Sequence, residues 1–325
     1  MSLNDKACWV RRQYQLVYIL NRRIDGSILP TILRRPIRVP GSWFPQDRSC
    51  RIGGVTQKIN SEVVLILGWG RAILLQLAHP LVACGVADHS SFNAAPGAPL
   101  RRLRQTLEVM LLLTFGTPED VARAAGAINA IHDRVHGKLC ETAGNIPAGT
   151  RYSAHDPKLL AWVHATLLDS FLSTYELYVG PLTLEEKNRY CTEASSIEPL
   201  LGIPPGSLPR SLAELHRYMD EMFASGEIVV TETARTVAQD VLSPPGLWVM
   251  GPFLWLFNLP TIGLLPTAIR EAYAFRWVWW HEASLRLSAG IVRALLPFVP
   301  STFRHWPKAS RFWFTILERT ERLVF

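Results

Sequence analysis

Between Val63 and Val86 the chain is apolar on nearly every side of a helix, with Arg71, Gln76 and His79 as its few polar residues and Pro80 directly after the histidine. A surface helix would carry one whole polar face. This stretch has none, so it is expected to be the central buried helix of an all-α protein, with its polar groups partnered inside. Ser61 is placed to cap it, with Glu62 in the first turn. Pro80 should kink or interrupt it, because proline removes a backbone donor. The run is long enough to raise a transmembrane reading, but Arg71, His79, Pro80 and its glycines would be costly against lipid. Burial within protein is the expectation.

The rest of the chain supports one large helical unit. At 325 residues, with 48% hydrophobic and 19% charged residues, it can bury a substantial core. The division expected is an N-terminal helix and wrapping segment over residues 1–57 and a main helical domain over 58–325, the two packing as one compact unit. Helices are predicted over about 6–24, 99–115, 156–178, 185–193, 211–218, 268–294 and 306–323. Gly116-Thr117-Pro118-Glu119 reads as a stop and restart, in which Gly ends one helix and Thr caps the next with Pro in its first turn. The apolar region 243–266 is broken by prolines into short buried or interfacial pieces. No long stretch alternates with period two and no internal repeat is visible. The fold class is all-α.

Composition removes several functions. The net charge of +7 is dispersed in small arginine clusters with no nucleic-acid motif, which argues against nucleic acid as a partner and leaves attraction to anionic lipid. The five cysteines (Cys8, Cys50, Cys84, Cys140, Cys191) form no C-x-x-C pair, against a disulfide framework or structural zinc site. The first residues lack a signal-peptide core, so a cytoplasmic location is expected, with peripheral membrane contact open. No nucleophile elbow, P-loop or dinucleotide turn is present, and Gly68-Trp69-Gly70 is too little for a phosphate loop.

The residues left to carry chemistry are mostly histidines. His132 sits in an apolar helical stripe with Val121, Ala125, Ile128 and Val135, and His136 follows one turn later. Such an i, i+4 pair can be two core and surface histidines, an axial ligand with a neighbour, or part of a zinc site. The zinc reading lacks an obvious third ligand. His79 can serve the backbone opened by Pro80 or take part in a cofactor site. His89 in Asp88-His89-Ser90 stands at a helix end or a pocket mouth, and His164 lies on a buried helix. Arg102 and Thr106 share a helix face; an arginine in a first turn opposes the macrodipole, so it is either solvated or drawn there by an anion.

The ordered set LLQLAHPLVACGVADHSSF, RRLRQT with FGTPED, INAIHDRVHGK and YSAHDPKLLAWVHATLLDS resembles the family of MpaB-type oxygenases and rubber oxygenases (latex clearing proteins), over roughly residues 60–310. The resemblance implies a globin-like helical core that binds haem b, with His132 as the proximal iron ligand and His136 as its neighbour. It places that group's Arg-x-x-Lys-Thr on Arg102-Leu103-Arg104-Gln105-Thr106. Arginine and threonine match, whereas Gln105 stands where the distal iron-contacting lysine would be. The resemblance therefore does not carry that distal chemistry, or polyisoprene as substrate, to this chain. His89, Arg102, Gln105 and Thr106 are the expected distal or propionate contacts.

The function so implied is a haem-dependent oxygenase that acts with dioxygen on a hydrophobic, isoprenoid or lipid-like substrate. A second reading comes from the tryptophans, the proline-broken apolar region and the positive charge. It is a non-catalytic helical protein that binds a lipid or prenyl ligand at a membrane surface.

Overall fold

A computed structural model describes residues 54–89, 98–243 and 251–306, with backbone alone at 98–104 and 252–253. The helices expected at 6–24 and 306–323, most of the wrapping segment and Ser90 lie outside these residues. In chain order the α-helices are α1 Val55–Asn60, α2 Ile66–Leu77, α3 Pro80–His89, α4 Ala98–Phe115 and α5 Pro118–His132. Then come α6 Pro157–Tyr178, α7 Leu184–Ala194, α8 Glu198–Leu201, α9 Leu212–Ala224 and α10 Glu232–Leu242. The series closes with α11 Gly251–Gly263, α12 Thr267–Ala272, α13 Trp279–Leu295 and α14 Ser301–Arg304. Between α5 and α6 a short antiparallel hairpin pairs His136–Lys138 with Arg151–Ser153. The chain is all-α, and the boundary expected at residue 57 falls inside α1.

The central run forms the middle of the molecule. Helix α2 packs along α6 on one side and α11 on another, and Leu74, Leu75 and Leu77 are buried with Trp162, Ala165 and Leu168 of α6. Gly68 and Gly70 explain how the three helices come so close. A Cβ at Gly68 would lie 2.5 Å from the Thr174 hydroxyl of α6, and one at Gly70 would collide with Thr261 of α11. Close helix approach, and not a phosphate loop, is what these glycines serve.

The proline acts as its chemistry requires. The run is broken at Ala78-His79, and the pair Val63–Leu77 and Pro80–His89 is bent by 108°. Pro80 occupies the first turn of α3, where its missing donor costs nothing. The exposed ends are then satisfied. The Ala78 carbonyl accepts from Val229 N at 2.8 Å, and His79 Nδ1 accepts from Leu81 N at 3.3 Å, in the manner of an N-cap. Among the described residues no single helix is long and apolar enough to cross a membrane.

Arg71 is the other polar residue of the run that the interior has to accommodate. It is 5% exposed. Its guanidinium donates to Asp169 Oδ2 at 2.6 Å, to Ser170 Oγ at 2.8 Å and, through Nε, to the Leu264 carbonyl at 2.7 Å. One side chain of α2 thus fastens α6 and the end of α11.

Three expectations need correction. Ser61 does not cap the central helix; its hydroxyl donates to Lys58 O and closes α1. Its neighbour Glu62 is buried, and the Arg304 guanidinium donates to it at 2.6–3.0 Å, tying α14 to the start of the run. The helix expected over 268–294 is two helices, because Ala274 adopts a left-handed conformation (φ 57°) after α12 and turns the chain. Most important, α5 ends at His132 and His136 starts the hairpin. The two histidines do not share a helix face.

Candidate functional site

Helix α5 is opened by a capping box in which Thr117 and Asp120 satisfy each other's backbone donors. Its buried side is a row of alanines, Ala122, Ala124, Ala125 and Ala127. This brings His132, on its last turn, into the protein instead of leaving it at a solvated helix end. The His132 ring is half-buried, and its Nδ1 is enclosed and has no hydrogen-bond partner. Burial first, and then the nearby His155, pushes its pKa down to about 4. At neutral pH it is therefore an uncharged imidazole, the form that ligates iron.

Two residues hold the ring from the side. His155 meets it edge-to-face, with centroids 5.7 Å apart, and donates from Nε2 to Asp133 Oδ1 at 2.8 Å. Asp133 and His155 both lie in the sequence motifs, 22 residues apart, but no spacing rule pairs them. They were not among the expected site residues.

His89 and His136 meet elsewhere. His89 ends α3 and donates from Nε2 to the His136 carbonyl at 3.1 Å; the two rings are 6.5 Å apart. Next to them the Tyr152 hydroxyl donates to Asp88 at 2.5 Å, and burial and Asp88 raise the tyrosine's pKa. This cluster fastens the hairpin to α3. His136 is exposed, and its carbonyl, not its ring, accepts the hydrogen bond from His89.

His79 is buried, with Nε2 3.8 Å from Glu227. Burial lowers its pKa, and Glu227 opposes that shift. Its Nδ1 is engaged by the helix break described above. Arg102 lies in the first half of α4, but its side chain is outside the described residues. Gln105 is half-buried and Thr106 exposed.

Later turns of the same helix line a cleft. Leu107, Met110, Leu111 and Thr114 of α4 face Trp69 of α2 and Phe171 of α6 across a small, mostly apolar cleft that Asn60, Leu65 and Trp306 also line. The Trp69 and Phe171 rings are 6.0 Å apart. None of the expected site residues lines this cleft.

A second histidine, His164 of α6, has an enclosed Nε2 with no partner, and burial pushes its pKa down to about 4 against the opposing charge of Glu198. Four of the seven enclosed and unpartnered side-chain polar atoms among the described residues belong to Asn129, His132, Trp162 and His164. They lie on the end of α5 and the first half of α6. Among the described residues no three His, Cys, Asp or Glu side chains converge on a metal position, which leaves the zinc reading without its ligands. A haem would need only a single protein donor, and His132 is a neutral imidazole of that chemistry.

The His164 burial has a measurable consequence. Its folded pKa lies below the ordinary value near 6.5. The unfolded chain therefore takes the proton first, and stability falls as the pH drops from about 6.5 to 4 while being unaffected above. The loss should approach about 3 kcal/mol, at about 1.4 kcal/mol per pH unit. Urea denaturation of wild type and His164→Leu across this window should show the smaller acid sensitivity in the variant; parallel curves would contradict the assignment.

The structure thus combines an all-α fold, a neutral imidazole at the end of α5 and a mostly apolar cleft between α4 and the α2–α6 pair. The chain belongs to the ER-bound oxygenase mpaB/B' and rubber oxygenase catalytic-domain family, which residues 56–294 match. It is 30% identical over 234 residues to uncharacterized protein Rv2237 of Mycobacterium tuberculosis and, to the same degree, to uncharacterized protein Mb2261 of Mycobacterium bovis. Each alignment covers 70% of this chain and 87% of the relative. No solved structure matches the chain.

Proposed function

We propose that the protein is a haem b-dependent oxygenase that uses dioxygen on a hydrophobic substrate, with His132 as the residue that would hold the haem iron. The observation that carries this reading is the His132 ring, neutral at pH 7 and with an enclosed nitrogen that no protein group engages. A histidine kept only for structure would be expected to pair that nitrogen. Membership of an oxygenase family supports the reaction class.

Haem, when bound, supplies dioxygen binding and activation. The chain's own residues supply the rest. Burial keeps His132 unprotonated, and the Asp133–His155 pair restricts how its ring can turn. Arg102 is suited to a propionate through paired charge-assisted hydrogen bonds. Gln105 offers a neutral amide where a lysine would bring a charge, so it would supply a hydrogen-bond donor to the distal side without changing the local charge. Further along α4, Leu107, Met110 and Leu111 with Trp69 and Phe171 provide a water-poor wall for an apolar group.

The test is the absorption spectrum of the purified chain, as isolated and after haem addition. A Soret band that grows to one haem per chain is expected. Protein that remains without it after reconstitution and desalting would overturn the proposal.

A further inference from the structure

Helix α13 is apolar on two opposite sides. One side, Leu285 and Ala289, is buried in a cluster with Tyr178 and Leu259. The other side is solvent-exposed. At helical spacing it presents Trp280, Ala283, Leu287, Ile291, Ala294 and Leu295, and no charged residue falls within it. A globular surface helix would carry polar side chains on that face. The patch continues past the helix itself. Trp255 of α11 stacks on Trp280 at 6.1 Å, while Trp279 and Phe298, each 82% exposed, project from the two ends.

We propose that this face docks the protein on an anionic lipid membrane, lying in the interface without crossing it. Three observations favour lipid as the occupant. The most exposed side chains are aromatic and protrude, as suits insertion into a fluid layer; a shape-matched protein partner would favour a pocket. The charge left around the patch is of the required sign: with Arg286 paired to Glu282 and Arg304 to Glu62, residues 251–306 keep Arg270, Arg276 and Arg293 against Glu271. Arg286, paired to Glu282, and Arg293, which donates to the neutral Glu176 carbonyl and so keeps its charge, lie along one flank of the apolar stripe, the amphipathic pattern of a helix lying in an interface. Docking here would draw an apolar substrate from the bilayer, but the inference does not depend on haem or on catalysis.

Co-sedimentation of the intact chain with phosphatidylcholine–phosphatidylserine vesicles tests it. Binding is expected, weakened by salt and by omitting phosphatidylserine. Leu287→Ser/Ile291→Ser, at exposed positions that leave the core intact, should weaken it about tenfold or more, because two apolar side chains would no longer be withdrawn from water. Trp279→Ala should also weaken it and reduce quenching of tryptophan emission by brominated lipid. Absence of vesicle binding by the intact chain, or equal binding by the double variant, overturns the proposal. A concentration-dependent dimer in sedimentation velocity that the double variant abolishes, without vesicle binding, overturns it in favour of a second copy of the chain.

Discussion

Replacing His132 by alanine should abolish the Soret band of the reconstituted protein and lower haem affinity about a hundredfold or more, while leaving the fold intact. The magnitude is bounded below by outer-shell partners of metal ligands, which alone are worth 10–100-fold; the ligand itself should count for at least as much. The fold should persist because His132 ends α5, is half-buried, and spends no hydrogen bond from its enclosed Nδ1. Removing a buried polar atom without a partner relieves a penalty of about 1–3 kcal/mol, which offsets the packing lost. A structural histidine would give the opposite pattern, with lowered stability and an unchanged spectrum. Haem titration followed at the Soret maximum, beside urea denaturation of the haem-free chain, separates the two. Should His164→Ala remove the band and His132→Ala leave it, the ligand is His164, the other enclosed and unpartnered imidazole.

The features legible in the sequence were those set by local chemistry. Thr117-Pro118 and Asp156-Pro157 start helices where capping rules put them, and the Val63–Val86 run is buried and broken at Pro80. His132 could be singled out because one polar residue in an apolar stripe is conspicuous at any tertiary arrangement. What failed was continuity across a helix end. The stripe persists in composition through Val135, but the chain turns after His132 because the hairpin with Arg151–Ser153 offers its backbone other partners. Periodicity cannot see competing partners such as Ser153 for His136 and Arg151 for Lys138, beyond the reach of any helical repeat. The Asp133–His155 contact, the cleft between α4 and the α2–α6 pair, and the double-faced α13 are all products of packing between distant segments. The glycines of Gly68-Trp69-Gly70 were visible, but their role depends on Thr174 and Thr261, which only the fold brings beside them.

Asp169→Leu should destabilise the protein by roughly 3–5 kcal/mol, the usual cost of leaving one member of a buried ion pair alone. The charge left behind is Arg71, which is 5% exposed and always protonated. Ser170 and the Leu264 carbonyl would still receive two of its donors, but neither carries a compensating charge. The reciprocal change, Arg71→Met, should cost less. Asp169 retains some solvent access at its side chain, so its carboxylate can be hydrated when the guanidinium is gone. The double variant Arg71→Met/Asp169→Leu should recover most of the stability lost by Asp169→Leu, since apolar side chains of similar volume avoid the desolvation of both ions. Urea denaturation of the four proteins gives the coupling directly. Additive losses would mean that Arg71 is held by its neutral acceptors alone and that the pair contributes nothing of its own. Strong recovery would mean that the charge at the centre of the fold is kept for geometry, fixing α6 and the end of α11 at one position along α2.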